Sequence, residues 1–132
     1  MKKLLLIISL FFGYIGLANS NETIYECNVD SLYEQTESGE IKLASDSWQK
    51  IFKGQTFKVS KKTGLISGDF DTSELSDSRV FKGGTSGSSF KTMYYSQDAG
   101  RWLILEIQQN DKGLKQPFKI IYLMGIVTGL CN

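Results

Sequence analysis

The segment that decides the fold is residues 89–108, SFKTMYYSQDAGRWLILEIQ. Its two halves, 89–95 and 101–108, are rich in aromatic and aliphatic residues whose side chains would alternate between two faces, which is typical of β-strands. Between them, the QDAG sequence at 97–100 has the composition of a turn. The segment therefore predicts an antiparallel hairpin with one buried face.

Most of the remaining chain also predicts strands. Thr23–Val29 alternates between apolar and polar residues, which indicates a half-buried strand. Further strands are predicted at 41–44, 55–60, 65–66, 79–82, 118–124 and 126–131. Eight or nine short strands about ten residues apart predict an all-β fold, a small antiparallel β-barrel or sandwich of about eight strands.

One segment, residues 45–53, is predicted to be a short helix instead. Ser45 can serve as an N-cap, and Trp48, Ile51 and Phe52 follow at helical spacing. Gly54 then ends the pattern.

The first 20 residues are predicted to be a secretory signal peptide. Lys2 and Lys3 precede an apolar run from Leu4 to Leu17, and small residues follow up to Ser20. The apolar run is shorter than the roughly 20 residues of a spanning helix. We therefore expect cleavage after Ser20, a single domain over 21–132 with no membrane span, and a periplasmic or secreted protein.

The charge balance argues against a nucleic-acid partner. The chain has 15 Lys and Arg and 14 Asp and Glu, and removal of the leader with its two lysines leaves a net charge of −1. Proteins that bind nucleic acid are usually strongly basic, because the phosphate backbone dominates the affinity.

Two cysteines, Cys27 and Cys131, lie near the two ends of the domain. In an oxidising compartment an even number of cysteines favours a disulfide, and here only one pairing is possible. Both lie on predicted strands. If the barrel closes, these strands would be neighbours and the disulfide would join its seam.

The absence of histidine excludes catalytic triads, Cys-His nucleophiles and histidine-bound zinc. We therefore predict no catalytic residues, metal site or cofactor. A carboxylate pair is the one catalytic set that the composition allows, with Asp69, Asp71, Glu74 and Glu106 as its candidates.

The clearest candidate for a binding surface is the aromatic cluster around the central hairpin, Tyr94, Tyr95, Arg101 and Trp102. One of the two tyrosines must face outward, and Trp102 points away from the core if Leu103 points into it. Exposed aromatic side chains beside arginine are frequent in binding sites. The alternative is that both faces of this hairpin are covered within the fold.

The size, leader, predicted barrel and single disulfide resemble those of the periplasmic inhibitors of c-type lysozyme. Ser86-Gly87 shortly before Phe90 is similar to a Ser-Gly pair that precedes a strand aromatic in that family. The family more usually has tyrosine at the position of Phe90, and the Lys-Gly that commonly follows its tryptophan is missing after Trp102. We infer no membership from this resemblance.

Three functions follow as hypotheses. The first is an exported, non-catalytic protein that binds an unknown protein, glycan or lipid through an aromatic face or loop. The second is a lipocalin-like carrier of a small apolar ligand, because a small barrel can enclose one. The third is a carboxylate-only hydrolase that acts on glycans.

Overall fold

A computed structural model describes residues 24–70, 75, 77–82, 89–98, 100–109, 115–123 and 125–132. The predicted signal peptide therefore lies outside the described residues. So do two of the candidate carboxylates, Asp71 and Glu74, and the Ser86-Gly87 pair of the family resemblance. The elements are β1 (Ile24–Gln35), β2 (Ile41–Leu43), α1 (Asp46–Phe52), β3 (Thr56–Ser60), β4 (Ile66–Gly68), β5 (Asp77–Lys82), β6 (Ser89–Ser96), β7 (Arg101–Gln108), β8 (Gln116–Tyr122) and β9 (Gly125–Cys131).

The strands form one curled antiparallel sheet, a half-barrel, with the order β4-β3-β1-β9-β8-β7-β6-β5. The short β2 lies off this path and pairs with the end of β1. The predicted hairpin is β6–β7, in which Ser89 lies opposite Gln108 and Ser96 opposite Arg101. The small all-β fold with one short helix is thus confirmed.

Strand β1 is longer than predicted because it contains a bulge. It pairs with β9 on both sides of an irregularity between Val29 and Ser31. Before the bulge, Tyr25, Cys27 and Val29 are buried, and after it the buried residue is Leu32. One extra residue therefore exchanges the two faces of the strand.

The core lies on the concave side of the sheet. Tyr25 of β1 contacts Phe90 of β6 with ring centroids 5.4 Å apart. Phe57 of β3 contacts Phe118 of β8 edge-on at 5.1 Å. Each pair joins strands that are not neighbours in the sheet, so these aromatic side chains hold the curl together.

The predicted disulfide is confirmed. Cys27 and Cys131 lie directly opposite each other on β1 and β9, and their Cα atoms are 3.9 Å apart. This is closer than the 4.4 Å or more expected for a bridged pair. The predicted position at the seam is wrong, however. The β3–β4 hairpin extends the sheet beyond β1, so the bond joins two inner strands and the edges are β4 and β5.

Helix α1 lies beside the part of β1 that is paired with neither β2 nor β3. The Gln49 side chain accepts a hydrogen bond from the Leu32 N–H at 3.1 Å and donates one to the Leu32 carbonyl at 2.5 Å. The side chain of Ser45 makes no capping hydrogen bond, although Ser45 occupies the N-cap position as predicted. The helix is therefore held to the sheet mainly by Gln49 and by Phe52, which packs against the core.

We expect Gln49→Ala to destabilise the fold by about 2 kcal/mol, because it leaves the backbone N–H of Leu32 without its partner. Urea unfolding measures this loss. Lys50→Ala is the control, since Lys50 is exposed on the same helix. Equal unfolding free energies for the two variants would contradict this role of Gln49.

Candidate binding face

The two tyrosines of the candidate cluster lie on opposite faces of β6. Tyr94 is fully buried, and burial raises the pKa of its hydroxyl. Tyr95 is 41% exposed on the convex face. Strand alternation separates adjacent residues in this way, so Tyr94 belongs to the core and cannot contact a ligand on the outer surface.

Trp102 lies beside Tyr95. The two residues are paired across β6 and β7, and Trp102 remains 36% exposed. Arg101 is also exposed, but it pairs with the buried Ser96. Because Arg101 directly precedes Trp102 on β7, the two side chains point to opposite faces of the sheet. The structure therefore brings together Tyr95 and Trp102 and separates both from Tyr94, while Arg101 lies at the strand end.

The aromatic pair is part of a larger apolar surface. Next to it, Met93, Ile104 and Ile121 are cross-strand neighbours on β6, β7 and β8. The row continues through Ile126 on β9 to Tyr33 on β1. We call the following residues the outer apolar face: Tyr33, Ile41, Leu43, Met93, Tyr95, Trp102, Ile104, Ile121, Leu123 and Ile126.

Sequence reasoning missed much of this face. Tyr33 is on it because of the β1 bulge, which no pattern in the sequence shows. Ile121 and Ile126 belong to an apolar run near the C-terminus. Because the run is apolar at successive positions, it does not predict which side chains point to the core and which to the outer face. Around Trp102 and Leu123 the face forms a shallow depression of about 220 Å³.

A charged row borders the face. The Glu106 carboxylate on β7 lies 2.8 Å from the Lys119 ammonium and 3.4 Å from that of Lys91. The hydrogen bond from Lys119 is the main reason that the pKa of Glu106 lies below its ordinary value, and Lys91 adds to the effect. The apolar row thus has a polar rim on this side, as binding surfaces usually do.

The pKa of Glu106 provides a test of this geometry. We expect carboxyl NMR titration to place the pKa of Glu106 below the ordinary value for glutamate, and we expect Lys119→Met to raise it more than Lys91→Met does. Because folding lowers this pKa, the stabilisation is complete above the unfolded-state value and is lost as the pH falls through the folded-state value. A larger effect of Lys91→Met would contradict the geometry.

The carboxylates suggested for catalysis have structural partners where the structure describes them. Asp69 accepts a hydrogen bond from the Thr56 N–H at 2.8 Å, and Glu106 is paired with two lysines. In the described part of the chain, no group of three or more acidic or cysteine side chains is placed to hold a metal ion. The same part contains no helix that is long and apolar enough to cross a membrane.

Comparison with known proteins finds no matching family model, no matching curated protein and no matching solved structure.

Proposed function

We propose that this chain is an exported, non-catalytic binding protein whose outer apolar face binds a partner protein. The observation that carries the proposal is the continuity of the face. Its apolar residues are paired in register from β6 to β1, with Tyr95 and Trp102 exposed at one border.

Such a surface is unfavourable unless something covers it. Monomeric proteins rarely expose large contiguous apolar patches, and a larger patch with a polar rim usually marks an interaction site. The core lies on the other side of the sheet, and half of the outer apolar face is exposed: Ile41, Leu43, Tyr95, Trp102 and Leu123. The other five residues of the face are half-buried. Its apolar residues are better explained by binding than by packing.

The shape and composition of the face favour a protein over a small molecule. Small-molecule sites are typically clefts of about 300–1,000 Å³, whereas the depression beside Trp102 measures about 220 Å³. Trp, Tyr and Met are enriched in protein interfaces, where a few aromatic side chains supply most of the affinity.

Export is the second part of the proposal. It rests on the apolar segment Leu4–Leu17 after two lysines, and on the disulfide between Cys27 and Cys131. Disulfides persist mainly in oxidising compartments such as the bacterial periplasm or the extracellular space.

The proposal is tested by affinity capture from extracts of the source cells, followed by titration of the purified partner. We expect Tyr95→Ser/Trp102→Ser to weaken binding at least about tenfold, because interface aromatics often contribute 2 kcal/mol or more. Ile24→Ser/Leu65→Ser is the matched control, since these apolar residues are also exposed but lie off the face. Equal losses in both variants, or capture of only a glycan or lipid, would overturn the proposal.

The two other hypotheses have less support. A carrier needs an empty interior, but aromatic pairs such as Tyr25–Phe90 join the strands across the core. A carboxylate hydrolase needs two acids in one cleft, but Asp69 directly follows β4 whereas Glu106 lies on β7, and each has its own partners.

A further inference from the structure

The depression beside Trp102 forms because the β8–β9 hairpin is shorter than the strands on either side of it. The hairpin ends where Tyr122 pairs with Gly125. On one side, β1 continues past this pair to Gln35, which lies opposite Ile41 of β2. On the other side, Trp102 of β7 also lies beyond the pair. The neighbouring strands therefore extend past the hairpin end and leave a recess of about 220 Å³.

Apolar side chains from one face of the sheet line the depression. Ile121 and Ile126 are cross-strand partners, and both are half-buried at its base. Trp102 and Leu123 line one side and Ile41 the other, and all three are exposed. Because these five residues all belong to the outer apolar face, one group that approaches from outside can contact several of them together.

The charge beside the depression is already paired. Glu34 is the one charged residue in its described lining, and the Glu34 carboxylate lies 3.8 Å from the Lys42 ammonium. The side chain of Gln35 donates a hydrogen bond to the Gly39 carbonyl at 3.4 Å. A charged group that entered the depression would lose water without gaining a free opposite charge, which is unfavourable. An uncharged, apolar group therefore suits the depression best.

The size and the lining of the depression favour one aromatic ring. An apolar cavity of about 150 Å³ can hold benzene, so a depression of about 220 Å³ has room for one aromatic side chain but not for two. Trp102 and Tyr33 contribute aromatic rings to the lining. Aromatic rings that meet edge-on or offset gain affinity beyond the area that they bury, and an aliphatic side chain lacks this gain.

We propose that the partner of the outer apolar face inserts one aromatic side chain into this depression. The inference rests on the proposed function and names the group that the partner presents. This side chain covers Ile121 and Ile126 at the base, while the rest of the partner covers the exposed Tyr95 at the border of the face. Aromatic side chains seated in pockets supply much of the affinity of protein interfaces.

NMR titration of the disulfide-bonded protein with N-acetyl-L-tryptophanamide, a mimic of such a side chain, tests the inference. We expect the amide signals of Ile121, Leu123 and Ile126 and the indole N–H signal of Trp102 to shift. The probe should bind at least about threefold more tightly than N-acetyl-L-leucinamide, because of the ring contacts. Ile41→Ser/Leu123→Ser should weaken probe binding at least about fivefold, because less apolar surface is covered.

The matched control is Ile24→Ser/Leu65→Ser, which makes the same two changes at exposed residues outside the depression. It should bind the probe within about twofold of the wild type. Unchanged melting temperatures would show that both double variants are folded. The inference is overturned if the probe does not bind, if the leucine derivative binds equally well, or if both double variants lose the same affinity.

Partner binding separates this inference from the proposed function. The tryptophan probe should compete with the captured partner protein for the wild-type chain. If Tyr95→Ser/Trp102→Ser weakens partner binding but the probe does not compete, the inserted side chain is overturned and the proposed function stands. If that variant binds the partner as tightly as the wild type does, the proposed function fails and this inference fails with it.

Discussion

Replacing both cysteines by alanine is expected to lower the melting temperature by roughly 10 to 20 °C. Cys27 and Cys131 are 104 residues apart, so their bond restricts almost the whole described chain in the unfolded state. The chain-entropy treatment gives about 4.7 kcal/mol for a loop of about 100 residues, and native disulfides of small secreted domains typically contribute 2–5 kcal/mol. Many domains have only 5–15 kcal/mol of stability in total.

Calorimetry of the oxidised protein and of the double-alanine variant measures this difference directly. Each single variant, Cys27→Ala or Cys131→Ala, already lacks the bond and should melt close to the double variant. Both residues are buried, so reductant should act on the native protein mainly after partial unfolding. A melting temperature within about 2 °C of the wild type would contradict the expected contribution.

The second large effect is expected at Gly129, where alanine should destabilise the protein by about 3 kcal/mol. A Cβ at this position would overlap the backbone carbonyl oxygen of Asn28 and lie 2.7 Å from a ring carbon of Phe118. The carbonyl belongs to the neighbouring strand β1, and the Phe118 ring is packed edge-on against Phe57. Neither group can move without disturbing the core.

Thr128→Ala is the control for this substitution, because Thr128 lies next to Gly129 on β9 but has the opposite strand phase. Thr128→Ala should lower the free energy of unfolding by no more than about 1 kcal/mol. Urea unfolding of both variants gives the comparison. The prediction is contradicted if Gly129→Ala lowers the free energy of unfolding no more than Thr128→Ala does. Strands β1 and β9 would then separate easily enough at this point to make room for the methyl group.

Local patterns in the sequence predict the central hairpin and the short helix. The period of two across residues 89–108 places Trp102 outside, and helical spacing from Trp48 to Phe52 identifies α1. The disulfide follows from the number of cysteines. Each of these features depends on neighbouring residues or on a count, which is why the sequence is sufficient.

Features that depend on distant pairing could not be predicted. The β1 bulge depends on how the strand aligns with β9, and it decides that Tyr33 joins the outer apolar face. Strand β5 begins at Asp77 rather than at the predicted residue 79, because two further residues pair with β6. The contact between Tyr25 and Gln109 spans 84 residues. The outer apolar face arises from such long-range pairing.

The central claim, that a protein partner covers the outer apolar face, is tested most directly by photocrosslinking in the source cells. A benzophenone amino acid replaces Trp102 in one variant and the exposed Leu65, off the face, in another. The account predicts one discrete protein adduct from position 102 and none from position 65. The same adducts from both positions, or no protein adduct from position 102, would contradict it.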